Sequence, residues 1–480
     1  MNHVYRCLSL FAIAAISSSA LGQTVSLDSC RRMALDNNKS IRVAEEALKG
    51  AAYDKKAAKA AYLPGIDFSA AYIYKQHKTN LLGEDAKLPT MTFNPLTQGY
   101  DWNILVDPAS KQPVLNPDGG GYIPTEIAVI PKEALSFDTR SIFAGTVTLT
   151  QPVFMGGMIK ALNDIADFSE QALTAARNNA RQNVIYSVDE AYWTVVSLRA
   201  KQRLAQSFVT LVDTLHYNVN AMVEAGVATR SDLLNVDVSL NEARIMLTKV
   251  DNGLSLSRMA LAQICGRPID SEMILADEEK TGIDTRMPEY SYDMTDVYSR
   301  RQDLEVLRQG INVLQGRERL VRASMLPKVG IVGAYTFMTP NLNDGFSRKI
   351  RGGFSIGAGL TIPIWHWGGN YNHYRAAKSA TNAQRLLLED MEEKVQLQVN
   401  QAKFKFQEAF KTYDMAQSNM KAAEENLRSA RLGFQEGMMT INDVILAQTG
   451  WLQAHSEKID AEIGIHLCEV YLSKVLGRLE

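Results

Sequence analysis

Cysteine is scarce in this sequence, and long apolar runs are missing. The 480 residues include four cysteines, Cys7, Cys30, Cys265 and Cys468. The last three lie far apart, show no metal-ligand spacing and read as isolated thiols in helices. Past the N-terminus, no stretch reaches the ~18 uninterrupted apolar residues that a spanning helix needs. No glycine-rich phosphate loop is present, so any energy source lies in a partner. Basic charge is not in excess: the formal net charge is −2, which removes the electrostatic footprint of a nucleic-acid binder. Proline is thinly spread except in one place, since half of the 14 lie between Gln76 and Thr139. What is abundant is apolar content, 46% of the chain, enough for a large core.

Residues 1–22 read as a secretory signal. Arg6 supplies the positive start, Leu8 to Ile16 the apolar run, and Ala20-Leu21-Gly22 a small-residue cleavage site. The run is too short to span a bilayer. Removing the signal also removes Cys7. Cys30 lacks the setting of a lipid-anchored cysteine, because Asp28 and Ser29 precede it. An exported chain without a spanning helix is secreted, periplasmic or an outer-membrane barrel.

One pattern dominates. Val395, Val399, Ala402, Phe406, Ala409, Tyr413, Ala416, Met420, Ala423, Leu427, Ala430 and Phe434 alternate spacings of four and three, the heptad of a long coiled-coil helix. Shifted back by 211 positions, the seam recurs from Val184 to Val223. Each long helix predicts a rod of roughly 100 Å at 1.5 Å per residue. Matching turns follow, Gly226 to Thr229 and Gly437 to Thr440, with Thr229 or Ser231 and Thr440 or Asn442 as candidate caps. The first return helix keeps the heptad through Val236, Leu240, Ala243, Leu247, Val250, Leu254, Ser257, Leu261 and Ile264; the second is read through Ile445, Leu452, Ile459, Ile463 and Val470. Both end at Gly-Arg, Gly266-Arg267 and Gly477-Arg478.

Earlier in each copy the offset is 263. A helix over Ser26 to Ala61, containing Asn38-Lys39-Ser40-Ile41, matches one opened by Arg301-Gln302-Asp303-Leu304; both stop at Leu-Pro. The first copy therefore carries about 52 extra residues in its proline-rich segment, the difference of the two offsets. After each Leu-Pro come alternating stretches: Ile66 to Tyr74, Phe143 to Leu149, Val329 to Phe337 and Phe354 to Ile362. These predict four strands of about ten residues, apolar on one face and small or polar on the other, the pattern of a transmembrane barrel. The strands end at Gln151-Pro152 and Ile362-Pro363, each followed by a Gly pair. Phe154, Trp365 and Trp367 suit a membrane–water boundary.

Four strands cannot close a barrel, and an open edge in lipid strands backbone groups at several kcal/mol each. Two copies would give eight strands and a filled lumen; three would give twelve and a water-filled pore. The Ser, Thr, Gly and Ala of the inner face favour three.

The ordered, duplicated set resembles the TolC family of outer-membrane efflux proteins over nearly the whole mature chain. The resemblance rests on the Asn38 and Arg301 motifs, both Leu-Pro strand entries, Gln151-Pro152 and Ile362-Pro363 with their Gly pairs, and the two Gly-to-Asp turns. It implies a mainly α fold with transmembrane β: an internally duplicated homotrimer whose twelve-stranded β-barrel, four strands per protomer, continues into a long α-helical coiled-coil periplasmic barrel. The implied divisions are signal 1–22, first periplasmic helix 23–64, first barrel hairpin with a long extracellular loop 65–151, first helical hairpin 152–267, polar equatorial connector 268–294, second-repeat helix 295–326, second barrel hairpin 327–363 and second helical hairpin 364–480. The implied function is passive exit through the outer membrane for a tripartite efflux or type I secretion system. The implied partners are a periplasmic adaptor, an inner-membrane transporter of the RND or ABC type, and outer-membrane lipid.

By the same resemblance, adaptor docking falls at Gly226, Thr229, Asp232, Leu233, Gly437, Thr440, Asp443 and Val444. The aperture candidates are Asn235, Asn442, Asp443 and Leu446. Many relatives carry Asp before Ala-Gln at this level, whereas here Leu446 precedes Ala447-Gln448. Asp443 can supply that charge one turn earlier and, like Asp232, can complement its helix dipole; the two readings are compatible. No enzyme, cofactor or metal is expected. Gly353-Phe354-Ser355-Ile356-Gly357 matches a nucleophile elbow only in spelling, since Ser355 falls in mid-strand. His366 and His373 make two ligands, not a zinc site, and His216 reads as a polar contact on its seam. The rival of another class is a pore-free periplasmic coiled-coil scaffold, which leaves the four strands without a purpose.

Overall fold

The computed structural model describes residues 24–271, 273–279, 292–341 and 347–479. The signal-like residues 1–22 and, within the connector expected over 268–294, residues 272 and 280–291 lie outside them. The described chain forms two compact units, one of helices and one of strands.

The helical unit is built twice. Helices α1 (Leu27–Asn37), α2 (Lys39–Ala60), α3 (Met158–Glu224) and α4 (Arg230–Ile264) are followed by α5 (Met294–Arg300), α6 (Gln302–Ala323), α7 (Gly369–Gln435) and α8 (Ile441–Val475). The copies agree in length: 22 residues for α2 and α6, 67 for α3 and α7, 35 for α4 and α8. The two seams are the buried stripes. Val184, Val188, Val195, Ala205, Val212 and Val219 are buried on α3, and Val395, Val399, Ala402, Phe406, Tyr413 and Leu427 on α7. His216 makes its seam contact with Asp237, Nε2 to Oδ1 at 2.9 Å.

Three expectations change. The helix expected over Ser26 to Ala61 breaks at Asn38, whose backbone is extended. The break lets Asn38 Oδ1 accept from the Ser40 amide at 2.9 Å while its Nδ2 donates to Ile264 O at 2.8 Å. The second copy repeats the device, with Arg301 extended and donating to Val475 O at 3.3 Å. Ile264 and Val475 are 211 apart, so each break satisfies an orphan carbonyl at the end of the return helix.

The stripe of α8 also moves. Its buried residues include Ala447, Ala454, Ala461, Ile465, Leu472 and Val475, the α4 heptad carried forward by 211. Of the stripe expected on α8, Ile463 alone is buried among the described residues. Lys458 hides the heptad in the sequence; here its stem lies on the seam, with its ammonium paired to Glu462 and 5.8 Å from the Tyr413 ring centre. Finally, the cysteines are not all isolated, because Cys30 and Cys265 share one buried cluster.

Two histidines of α8 make stability depend on pH. His455 Nε2 lies 3.2 Å from Glu424, near Lys458, and His466 stacks on Trp193 with centroids 3.8 Å apart. Burial, the largest influence on each, holds both imidazoles below the ordinary value despite their acidic neighbours. The unfolded chain therefore takes up these protons first, and stability declines as pH falls below the ordinary imidazole value of about 6.5. Thermal unfolding in detergent should show this decline in the wild type and a smaller one in His455→Gln/His466→Gln. An equal decline in both would remove these residues as its source.

The strand unit holds one four-stranded antiparallel sheet and a long insertion. The strands are β1 (Gly65–Tyr74), β2 (Thr79–Asn80), β3 (Ala86–Pro89), β4 (Met91–Asn94), β5 (Gly99–Trp102), β6 (Ile127–Ile130), β7 (Ser136–Phe137), β8 (Ser141–Met155), β9 (Lys328–Thr339) and β10 (Arg351–Thr361). The sheet order is β1-β8-β9-β10. The insertion is a set of nested ladders, β2 with β7, β3 with β6 and β4 with β5, rather than an irregular loop. β8 also runs beyond its expected end at Gln151-Pro152, reaching Met155 through an irregularity in register between Pro152 and Phe154. A bulge accommodates the proline that a regular ladder would exclude.

The register carries each face across all four strands. Phe68, Val147, Tyr335 and Phe354 form one cross-strand row, and Ile66, Leu149, Gly333 and Ile356 the next. The opposite face holds Asp67, Thr148, Ala334 and Ser355, then Ser69, Thr146, Thr336 and Gly353. Ser355 is thus a mid-strand residue, without the sharp turn that a nucleophile requires. The apolar rows are uncovered, Phe354 being 84% exposed. Among the described residues β1 and β10 each have one neighbour, so both outer edges of the sheet are open.

Candidate functional site

The turns joining α3 to α4 and α7 to α8 are built alike. Gly226 and Gly437 adopt left-handed backbone, with φ of 76° and 71°. Each completes a six-to-one and five-to-two pair of hydrogen bonds: Val227 N to Met222 O and Gly226 N to Val223 O, then Met438 N to Gly433 O and Gly437 N to Phe434 O. This double closure ends a helix cleanly when the residue past the cap can take positive φ.

The next helix starts three residues later on a reciprocal cap. Thr229 Oγ1 accepts from Asp232 N at 3.2 Å, and Asp232 Oδ2 accepts from Thr229 N at 3.0 Å. The second copy repeats both bonds, with Thr440 and Asp443 at 3.3 and 2.8 Å. Thr229 and Thr440 are therefore the caps, not Ser231 and Asn442. Each threonine's hydroxyl, and then its backbone amide, holds the aspartate below the usual carboxylate range. Both carboxylates stay ionised at neutral pH while serving as caps.

Exposure separates the residues around these turns. Gly226, Thr229, Gly437, Thr440 and Asp443 are at the surface, and Asp232 is partly covered. Leu233 and Val444 are buried with Val212, Val236 and Ile441, where they hold the turn from beneath. Asn235, Asn442 and Leu446 are exposed, Leu446 at 73%. Asn235 and Leu446 occupy equivalent positions in the two copies, 211 apart. Val227 and Met438, the latter 78% exposed, also stand out from the turns. Their position directly after each left-handed glycine was the signal that could have singled them out.

Gln448 stands apart. Its side chain is buried, yet neither amide atom has a hydrogen-bond partner among the described residues. It borders a cleft of about 710 Å³ lined also by Thr214, Asn218, Arg431 and Phe434. The duplication explains the orphan. Asp237, its counterpart, pairs with His216, but the position matching His216 is Leu427.

In the strand unit Phe154, Trp365 and Trp367 are all exposed, Trp367 at 89%. The two tryptophan rings meet edge to face, with centroids 6.0 Å apart. No described helix is long and apolar enough to cross a membrane.

The profile of the family described as Outer membrane efflux protein matches residues 31–267 and 295–478. The curated Outer membrane efflux protein BepC of Brucella suis is 20% identical over 355 residues, 71% of this chain and 74% of that protein. The fold is that of solved outer-membrane channels. The Campylobacter jejuni CmeC channel superposes with a TM-score of 0.70 at 16% identity, covering 95% of this chain and 86% of CmeC. The open-state Neisseria gonorrhoeae MtrE channel gives 0.69 at 18% identity, covering 95% and 89%. Two open sheet edges with an uncovered apolar face, a doubled set of long helices and a family match across both copies lead to one assignment: this chain belongs to the outer membrane efflux protein family and resides with it in the outer membrane, reaching into the periplasm.

Proposed function

We propose that three copies pool their sheets into a twelve-stranded barrel, and that the assembly is a passive exit duct rather than an enzyme. The observation that carries this is the sheet, whose two edges are open and whose four strands are apolar on the same side. Pairing β1 of one copy with β10 of the next removes every edge. The small and hydroxylated face then lines the lumen. Phe154, Trp365 and Trp367 sit at a lipid boundary, where amphipathic rings concentrate.

The helices extend the duct inward, and the glycine turns form its periplasmic end. A periplasmic adaptor docks on the exposed tips around Gly226, Thr229, Asp232, Gly437, Thr440 and Asp443, with Leu233 and Val444 as packing beneath. The adaptor links the duct to an inner-membrane transporter of the RND or ABC type, which supplies the energy. Asn235, Asn442, Asp443 and Leu446 line the inner aperture.

Planar-bilayer recording tests this reading. The wild type should pass current and prefer cations. Asp443→Ala should weaken that preference at least twofold, while Thr440→Ala, which breaks the same cap but keeps the charge, should retain it. Equal selectivity in the two variants would confine Asp443 to capping. A wild type that never conducts would sink the duct itself.

A further inference from the structure

Two thiols that are 235 residues apart in sequence meet in the first helical copy. Cys30 lies in the first turn of α1, and Cys265 is the residue that ends α4. Both are 0% exposed. The Cys265 sulfur lies 3.7 Å from the carbonyl oxygen of Cys30. Ala34, Val188, Leu261 and Met273 belong to the same cluster, so both side chains lie inside one closed apolar shell. The neighbouring Cys265 thiol, and then burial, push the Cys30 thiol above the ordinary range. Both carry free thiols in this structure.

The second copy does not repeat the pair. The position matching Cys265 is Leu476, and the one matching Cys30 is Asp293. Leu476 fills its site as an ordinary buried apolar residue, so packing alone does not call for a thiol there. The pair belongs to the copy that begins the exported chain. Its compartment, the periplasm, is oxidising, where adjacent thiols become bridged.

We propose that Cys30 and Cys265 form an intrachain disulfide in the mature protein, fastening α1 to the end of α4. The bond forms during folding, before the cluster closes. One cysteine thiolate attacks the disulfide of a periplasmic dithiol–disulfide oxidoreductase, breaking its S–S bond and releasing one of its sulfurs as a thiol. The second cysteine attacks the mixed disulfide, forming the Cys30–Cys265 bond and releasing the other. The chain loses two electrons and two protons; the oxidoreductase gains them and leaves as a dithiol. The closed shell then shields the bond from reductants. It reinforces a junction already made by the apolar cluster and by the Asn38 bond to Ile264, beside the Arg31–Asp189 ion pair that ties α1 to α3 through bonds of 2.6 and 2.7 Å. Cys468 lies in the second copy, on α8, and stays free.

The test uses full-length protein from the cell envelope, acid-quenched and alkylated in denaturant without reductant, then digested and mapped by mass spectrometry. The expected result is a linked peptide pair containing Cys30 and Cys265 that disappears on reduction, with Cys468 alkylated throughout. Cys30→Ser should free Cys265 for alkylation without reductant, and Cys265→Ser should free Cys30. Reductant should lower the unfolding midpoint of the wild type but not of either variant. If the variants fail to assemble, the wild-type map decides alone. Alkylation of Cys30 and Cys265 before reduction, or linkage of either to Cys468 or to a second chain, would overturn the proposal.

Discussion

Ile356→Arg is expected to remove the protein from the outer membrane. Ile356 is the central residue of β10, and its row across the sheet is Ile66, Leu149, Gly333 and Ile356. In a closed barrel that row faces lipid near the bilayer midplane. An arginine there costs about 2–4 kcal/mol per barrel site, a cost incurred three times in the proposed trimer. Ser355→Arg, one residue away, places the same charge on the opposite face beside Asp67, Thr148 and Ala334. That variant should insert normally and lower cation conductance. Membrane fractionation with semi-native electrophoresis reads both outcomes. Normal insertion of Ile356→Arg together with loss of Ser355→Arg would mean that the two faces are assigned the wrong way round.

Gly266→Ala should destabilise the helical unit by about 2–4 kcal/mol, strain and overpacking together. Gly266 has φ of 70°, and an added Cβ would sit 2.5 Å from the Asn37 Cβ and 2.8 Å from its carbonyl oxygen. Backbone cannot swing aside as the tip of a flexible side chain can, so α1 must shift and the Asn38 bond to Ile264 loosens. Gly226→Ala isolates the strain. Its φ is 76°, but nothing lies within 4 Å of the added carbon, leaving about 1 kcal/mol of left-handed backbone cost. Gly477→Ala should fall between them, since its nearest neighbour is the Arg300 Cβ at 2.9 Å. Chemical unfolding in detergent ranks the three. Equal effects at Gly266 and Gly226 would mean that the helix end and the break at Asn38 do not bear on each other.

Those glycines mark where the sequence was readable and where it was not. Heptads, turn glycines and strand alternation are local patterns, so the long helices, both turns and all four sheet strands followed from spacing alone. The 211-residue offset was readable too, yet Lys458 masked the heptad of α8 because periodicity counts a lysine as polar whatever its stem covers. The break at Asn38 was opaque for another reason: the acceptor that stabilises it, Ile264 O, is 226 residues away. The same distance problem hid the approach of Cys30 to Cys265. Ladders of two to four residues, as in the insertion, are too short to show a period of two. At the candidate site, glycine and threonine spacing located the turns, but only burial separated Leu233 and Val444 from the residues that reach the surface.

The number of copies in the assembly is the claim on which the duct depends, and native mass spectrometry of the detergent-solubilised protein tests it most directly. The account predicts a particle of three chains, which falls to single chains when the sheet edges are disrupted by proline substitutions in β1 and β10. A wild-type particle of one or two chains would contradict it, because four or eight strands do not enclose the open, small-residue lumen read from the inner face.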